Sequence, residues 1–275
     1  MNKHYFYLEM EEHYLEVPYL GEKRRVRVLL PKNYRKDTNR RYPVVYMHDG
    51  QNIFYSKEAF TGYSWKVIPT IKHNPDIPRM IVVGIDNHIS RMNEYAPWRF
   101  SNIHHEADQN MGGKGQEYSE FVMDIVKPFI DKTYRTKADK KHTAMIGSSL
   151  GGNITQFMGV LYQDQIGGLG VFSSANWLNR SEFDRFVKRQ PLDKEQRVYI
   201  QVGTDEGDDT DSTLTKSNIK QLYIDESLLY YRQLLEGGLP LDHIKLNVVV
   251  GAIHHERVWG TYLPECLRFL SEGWD

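Results

Sequence analysis

The chain has 275 residues, of which 40% are hydrophobic, and its formal net charge is −1. This length fits one large α/β domain or two small ones, and the apolar fraction is enough for a substantial core. The small net charge provides no bulk attraction to nucleic acid or to an anionic membrane, so we expect neither as a partner. The single cysteine, Cys266, excludes an intrachain disulfide, which fits a reducing compartment.

The N-terminal residues MNKHY run directly into charged sequence, so we expect no signal peptide. No apolar run approaches the roughly 20 residues that a membrane-spanning helix needs. These two features predict a cytoplasmic protein without a membrane segment. The sequence gives no indication of an oligomeric state.

The first predicted elements are two antiparallel strands near the N-terminus. Residues 25–29 (RVRVL) alternate polar and apolar side chains, and this strand ends at Leu30-Pro31. Short apolar runs then recur at intervals that leave room for helices, at residues 44–47, 81–85, 144–147, 170–172, 198–202 and 246–250. Several are almost continuously apolar, as expected for parallel strands that are buried on both faces of a sheet.

Helical patterns separate these strands at residues 121–130, 150–162, 225–236 and 263–270. Pro128 is predicted to kink the first helix or to mark its last turns, and Gly237-Gly238 is predicted to end the third. The polar residues 206–217 are predicted to form a loop. The chain contains no repeat and no linker, so we predict one α/β domain over residues 1–275. It has a mostly parallel central sheet, helices on both faces and antiparallel N-terminal strands.

The strongest local motif is GSSLGG at residues 147–152, which lies between a predicted strand and a predicted helix. The G-x-S-x-G pattern in this context is typical of the nucleophile elbow of the α/β-hydrolase fold. Only Ser149 has glycine at both −2 and +2, where side chains are expected to collide with neighbouring backbone. Such a short pattern also arises by chance, but the flanking elements favour Ser149 as a nucleophile.

A serine nucleophile needs a general base, and the base needs an acid. In this fold the acid precedes the histidine along the chain. Residues 251–256 (GAIHHE) follow the last strand and contain two candidate bases, His254 and His255. The alternative is that they are a pair of surface histidines without a catalytic role. Residues 203–209 (GTDEGDD) follow the preceding strand and contain four acids, of which one would bind the imidazole and the others would be solvated.

The oxyanion hole of such a site uses two backbone N–H groups. One is expected from Leu150, directly after the nucleophile. The other is expected from the loop at residues 48–52 (HDGQN), at Gly50 or, preferably, at Gln51.

The chain resembles the esterase D-like branch of the α/β-hydrolases from about residue 27 to residue 270. This branch includes enterochelin and related ferri-siderophore esterases, feruloyl and acetyl-xylan esterases, and S-formylglutathione hydrolase. The stretches that carry the resemblance are residues 46–54, 83–98, 147–152, 203–206 and 251–259. The resemblance implies Glu206 as the acid and His254 as the base. Because glutamate is one methylene longer than aspartate, Asp205 and Asp208 remain alternatives for the acid.

Aromatic side chains near these motifs suggest a substrate pocket. We predict that the pocket for the acyl or alcohol group is lined by Tyr95, Trp98 and Trp177, together with Gly50. The alternative is that these aromatic side chains pack in the core. Arg91 and Arg99 could meet an anionic or catecholate substrate, or they could form surface ion pairs, for instance with Glu94.

The sequence therefore predicts a serine carboxylesterase that acts on a small-molecule ester through Ser149, His254 and Glu206. No metal or organic cofactor is implied. His255-Glu256 could begin an H-E-x-x-H zinc motif, but Trp259 occupies the position of its second histidine. A siderophore lactone, a feruloyl or acetyl sugar ester and a thioester are alternative substrates. A non-catalytic α/β-hydrolase domain that binds a small molecule or a protein is the alternative of another class.

Overall fold

The computed structural model describes residues 9–101, 103, 110–207 and 209–274. Within these residues, eight strands form one sheet in the order β1-β2-β4-β3-β5-β6-β7-β8. The strands are β1 (Glu9–Val17), β2 (Glu22–Leu30), β3 (Val44–Met47), β4 (Ile81–Ile85), β5 (Thr143–Ser148), β6 (Gly168–Phe172), β7 (Arg197–Asp205) and β8 (Ile244–Ile253).

The pairing of the strands confirms the predicted mixed sheet. β2 pairs antiparallel with both β1 and β4, whereas the six strands from β4 to β8 in the sheet order are parallel to one another. Each predicted apolar run lies within one of these strands, because strands buried on both faces need apolar side chains at nearly every position. The carboxyl ends of the six parallel strands share one edge, where the loops that follow them meet.

Helices cover both faces of the sheet, as predicted. They are α1 (Val67–His73), α2 (Arg91–Glu94), α3 (Gly115–Glu120), α4 (Lys127–Thr133), α5 (Leu150–Leu161), α6 (Arg180–Arg189), α7 (Asp209–Leu214), α8 (Ile219–Glu236) and α9 (Glu256–Leu270). One apolar core lies between the sheet and the helices α3, α4, α5, α6 and α8. A second core lies on the opposite face, under α1 and α9.

Pro128 is the second residue of α4, which follows the π-helical segment Phe121–Val126 and ends at Thr133, so the proline lies within the last two turns of this continuous helical segment. In the π-helical turns the backbone hydrogen bonds span five residues instead of four. This change in hydrogen bonding comes just before Pro128, which has no N–H group to donate. Residues 206–217 are not wholly a loop, because they include helix α7, which buries Leu214 against the core.

Helices α8 and α9 begin earlier than the apolar spacing indicates, at Ile219 and Glu256. The Asn218 side chain caps α8 by accepting a hydrogen bond from the Gln221 N–H. The sequence did not predict α6, whose few apolar residues include the buried Phe183 and Val187. No helix in the described part of the chain combines the length and the hydropathy needed to cross a bilayer.

Candidate active site

Ser149 lies in the tight turn between β5 and α5, with φ 58° and ψ −128°. This backbone conformation is sparsely populated for residues other than glycine, and it typically persists where the surrounding structure enforces it. Here the Ser149 N–H donates to the Phe172 carbonyl at 2.9 Å. The turn has the geometry of a nucleophile elbow.

Gly147 is required by close contact with the start of α5. A Cβ atom at Gly147 would lie 2.2 Å from the Gly151 carbonyl oxygen, as the motif predicts. The expectation for Gly151 itself is wrong in detail. Its nearest neighbour is not backbone but the Asp49 carboxylate, 3.2 Å from the position of a Cβ atom. Gly151 therefore makes room for the side chain of Asp49.

His254 and Glu206 form a buried hydrogen-bonded pair. The loop after β7 carries Glu206, and His254 follows β8, so both side chains start from the carboxyl edge of the sheet. His254 Nδ1 donates to Glu206 Oε2 at 2.7 Å. A carboxylate on Nδ1 leaves Nε2 available as a proton acceptor, as a general base requires. His254 and Ser149 line the same cavity.

Three further groups fix the position of this pair. Glu206 Oε1 accepts from the Gly203 N–H at 2.6 Å and from the Ser173 hydroxyl at 2.5 Å. The Ser173 hydroxyl in turn accepts from the indole N–H of Trp259 at 2.9 Å. The same indole meets the His254 ring edge-on, with a centroid distance of 4.9 Å. The sequence did not predict these roles of Ser173 and Trp259.

The alternative residues have other partners. The Asp205 carboxylate forms an ion pair with Lys220 on the surface. His255 caps helix α9, and its Nδ1 accepts from the Arg257 N–H at 3.0 Å. Asp208 lies outside the described residues. The geometry thus favours Glu206 over Asp205 and His254 over His255.

Both predicted oxyanion donors lie beside the cavity. Leu150 is the first residue of α5, so its N–H has no acceptor within the helix. Gln51 lies in a 3₁₀ turn whose first hydrogen bond runs from Asn52 N–H to the Asp49 carbonyl, which leaves the Gln51 N–H unused within that turn. The Gln51 side chain accepts from the Asn87 N–H at 3.0 Å and so ties this turn to the loop after β4.

The cavity at this edge has a volume of about 350 Å³. Its lining is mixed, with polar residues such as Asn87, His88 and Arg91 and apolar residues such as Leu178 and Leu214. Its described lining residues include Asp49, Gln51, Phe60, Asn87, His88, Arg91, Met92, Ser149, Leu150, Leu178, Asp211, Leu214, His254 and Glu256. The described part of the chain holds no group of three or more His, Cys, Asp or Glu side chains arranged to hold a metal ion.

The predicted aromatic wall is wrong, because none of its members is among the described lining residues. Tyr95 is fully buried, and its hydroxyl accepts from the Asp49 N–H at 3.1 Å. Trp98 packs against Phe157 and other aromatic rings of the core. Trp177 is buried against Tyr223.

Gly50 does not line the cavity either, because it packs against the end of β4. A Cβ atom at Gly50 would lie 2.6 Å from Asp86 Oδ1 and 2.8 Å from the carbonyl carbon of Gly84. Gly50 therefore allows the loop after β3 to approach β4 closely.

Arg91 lines the cavity, but its partner is not Glu94. Its guanidinium donates to both carboxylate oxygens of Asp49, at 2.7 and 2.9 Å. Glu94 instead pairs with the buried Arg24. Arg99 is exposed, and it donates to the Asn110 side chain at 3.4 Å.

Burial and this ion pair shift the pKa values of Asp49 and His48. Burial opposes the charge of Asp49, but the Arg91 guanidinium and the Asn87 amide outweigh it, and the pKa of Asp49 is lowered. Burial also lowers the pKa of the neighbouring His48 to about 4, so His48 is neutral at pH 7. Its Nδ1 lies 2.8 Å from the Tyr118 hydroxyl.

Two acidic lining residues were not predicted. Glu256 accepts from the Thr61 hydroxyl at 2.7 Å and from the Asn52 amide at 3.4 Å. Asp211 accepts from the Tyr223 hydroxyl at 3.0 Å. In the sequence, Glu256 is only the last residue of the stretch 251–256 that contains the two histidines. Asp211 is one of many polar residues in the stretch 206–217.

Comparisons with known proteins match most of the chain. Residues 18–270 match the family described as Putative esterase. Uncharacterized protein YbbA of Bacillus subtilis (strain 168) is 25% identical over 248 residues, which cover 90% of this chain and 92% of that protein.

Two solved structures share the fold. An IroE-like serine hydrolase from Shewanella oneidensis matches with a TM-score of 0.74 and 18% identity, over 94% of this chain and 79% of that one. A ferulic acid esterase matches with a TM-score of 0.68 and 19% identity, over 97% and 99% of the two chains. Because the family match spans nearly the whole chain, the protein belongs to the Putative esterase family and is a carboxylic ester hydrolase.

Proposed function

We propose that the protein is a serine carboxylesterase with Ser149 as nucleophile, His254 as general base and Glu206 as the supporting acid. The observation that carries the proposal is the buried 2.7 Å hydrogen bond between His254 and Glu206, beside a cavity that Ser149 also lines. The conformation of Ser149 adds support, because it matches the strained turn that presents such a nucleophile.

In the acylation step, Ser149 Oγ attacks the ester carbonyl carbon while His254 Nε2 takes the hydroxyl proton. The resulting imidazolium is stabilised by its Nδ1–H bond to Glu206. The carbonyl electrons move onto the oxygen, and this oxyanion accepts from the N–H groups of Leu150 and Gln51. Each such donor typically contributes about 10²- to 10³-fold in rate. The alcohol then leaves with the proton from His254.

Deacylation repeats the same steps with water. His254 removes a proton from water, the hydroxide attacks the acyl carbon, and the proton returns to Ser149 Oγ as the acid leaves. The hydrogen bonds from Ser173 and Gly203 hold Glu206 in place through both half-reactions.

The charges of the cavity bear on the substrate. Three carboxylates, from Asp49, Asp211 and Glu256, line it with one guanidinium, from Arg91, and that guanidinium is already paired with Asp49. We propose a substrate that is uncharged near the ester, because an anionic group would meet the carboxylate of Glu256, whose hydrogen-bond donors Thr61 and Asn52 are neutral. This favours a neutral ester, such as an acylated sugar, over a catecholate siderophore.

The decisive experiment is covalent labelling with a serine-directed fluorophosphonate, combined with turnover of p-nitrophenyl acetate. Wild type and Ser148→Ala are expected to label and to turn over the ester, whereas Ser149→Ala does neither. Ser148 is the matched control, since it is adjacent and also lines the cavity. Labelling of Ser149→Ala at the wild-type rate would exclude Ser149 as the nucleophile. A wild type that neither labels nor turns over the ester would leave a binding domain as the alternative.

A further inference from the structure

The two edges of the sheet differ in how they are protected. An exposed strand edge tends to pair with another strand, and natural proteins prevent this with charged side chains. The edge strand β1 carries four glutamates, namely Glu9, Glu11, Glu12 and Glu16. The other edge strand, β8, carries one charged residue, Lys245, at its beginning. Among the described residues, no strand pairs with the outer edge of β8.

Apolar side chains are exposed along this unprotected edge. Val248, Val250 and Ile253 are 43%, 90% and 42% exposed. Val248 and Val250 lie on the same face of the sheet as Ile244, which belongs to the core beneath α8. This pattern is unusual for a free edge in water, because among the described residues neither a charged side chain of β8 nor another strand protects its outer edge between Val248 and Ile253.

Helix α8 extends this apolar surface. It packs over β7 and β8, and Ile224, Leu228, Tyr231 and Leu235 follow each other at intervals of four, three and four residues, which places them on one face of the helix. Leu228 and Leu235 are exposed, and Ile224 and Tyr231 are partly buried. We call these four residues the α8 stripe.

The α8 stripe faces the free edge of the sheet. The opposite flank of α8 contacts α6, where Arg180 pairs with Glu226, Phe183 packs on Tyr230, and Asp184 accepts from Gln233. Because α6 occupies that flank, the stripe lies on the side of α8 toward and beyond β8. The strand edge and the stripe therefore form one continuous surface.

We propose that this surface binds a second copy of the chain, with β8 pairing antiparallel to β8 of the partner and the two α8 stripes packing across the twofold axis. A strand edge is complementary to itself in this arrangement. The antiparallel orientation also places the two Lys245 side chains at opposite ends of the ribbon, whereas a parallel pairing would bring them together.

The charges beside the α8 stripe favour the same partner. Asp225 directly follows Ile224, and Arg232 directly follows Tyr231, so both lie on the same flank of the stripe. Antiparallel packing about the middle of the stripe brings Asp225 of one copy toward Arg232 of the other, and the twofold axis repeats this pair. A second copy thus supplies both the missing strand and opposite charges.

Analytical ultracentrifugation over a concentration series tests the proposal. We expect wild type to sediment at twice the mass of one chain, and Val250→Lys and Leu228→Lys each to raise the dissociation constant at least about 30-fold. The matched control is Tyr14→Lys on the protected edge β1, where Tyr14 is 58% exposed. This control should leave the dissociation constant unchanged.

A charge exchange keeps the test independent of folding defects. Asp225→Arg and Arg232→Asp are each expected to weaken the dimer about 5-fold or more, because like charges then face each other, and the double variant should restore wild-type association. Wild type that remains a monomer up to about 100 µM overturns the proposal. So does a dimer that is insensitive to Val250→Lys and Leu228→Lys, or a double variant weaker than both single ones.

Discussion

Replacing Glu206 with glutamine tests the proposed triad through the direction of one hydrogen bond. Glu206 Oε1 accepts from the Gly203 N–H and the Ser173 hydroxyl, and Oε2 accepts from His254. The Gly203 N–H can only donate, so the amide oxygen of the glutamine must take the position of Oε1. The amide nitrogen then faces His254 and donates to its Nδ1.

This exchange fixes the wrong tautomer of His254. With Nδ1 accepting, the imidazole proton must sit on Nε2, which can then no longer take the proton of Ser149. The comparable change in a serine protease triad lowers kcat by roughly 10⁴-fold, or about 5 kcal/mol of barrier. We expect a loss of this size for p-nitrophenyl acetate, with the thermal melting of the protein close to that of wild type because size and packing are conserved.

Asp205→Asn is the matched control. It removes the neighbouring acid, which is exposed and pairs with Lys220, and it should change kcat by less than about twofold. A folded Glu206→Gln enzyme that keeps more than a tenth of the wild-type kcat would refute the reasoning. An equal loss in Asp205→Asn would assign the acid to Asp205 instead.

Three other predictions concern stability and reactivity. Gly147→Ala should destabilise the fold by at least about 3 kcal/mol in urea unfolding, because the new Cβ would lie 2.2 Å from the Gly151 carbonyl oxygen; a wild-type unfolding curve would contradict this. Burial raises the pKa of Glu226 from near 4.5 to about 7 against the opposing effect of Arg180. The unfolded chain therefore releases this proton first, so wild-type stability falls as pH rises from 4.5 to 7. The free energy of unfolding of Glu226→Gln, measured relative to that of wild type, should rise by up to about 3 kcal/mol between pH 5 and pH 8. The same difference between variant and wild type at both pH values would rule out this linkage. Cys266 is fully buried with a raised thiol pKa, so Ellman's reagent should label it only in denaturant, and rapid labelling of the native protein would show that α9 opens.

The fold could be predicted from sequence because its strands are buried on both faces. Residues 44–47 and 81–85 are apolar at almost every position, and both match strand boundaries in the structure. Helix α7 could not be found in this way. It is short and mostly polar, and the burial of Leu214 against the core is a tertiary contact that local composition does not reveal.

In the candidate site, too, some residues could be predicted from the sequence and others could not. Ser149 and His254 could be placed because each directly follows a strand at the carboxyl edge, so topology alone brings them together. The aromatic wall failed because an aromatic side chain suits a core as well as a pocket, and neither spacing nor composition separates the two for Tyr95 or Trp177. The bond from Ser173 to Glu206 joins residues 33 positions apart, and no local pattern indicates it.

The position of β8 at the edge of the sheet has a consequence for how activity is lost. Ser149, Glu206 and His254 follow β5, β7 and β8, so the proposed triad exists only while the outermost strand stays attached. At the junction a Cβ atom on Gly203 would lie 2.1 Å from the Ala252 carbonyl oxygen, which shows how closely β7 and β8 approach there. Fraying of β8 with α9 would separate His254 from Glu206 while the inner strands remained folded. In the monomer we therefore expect thermal inactivation to precede the loss of sheet structure, so that residual activity reports the attachment of β8.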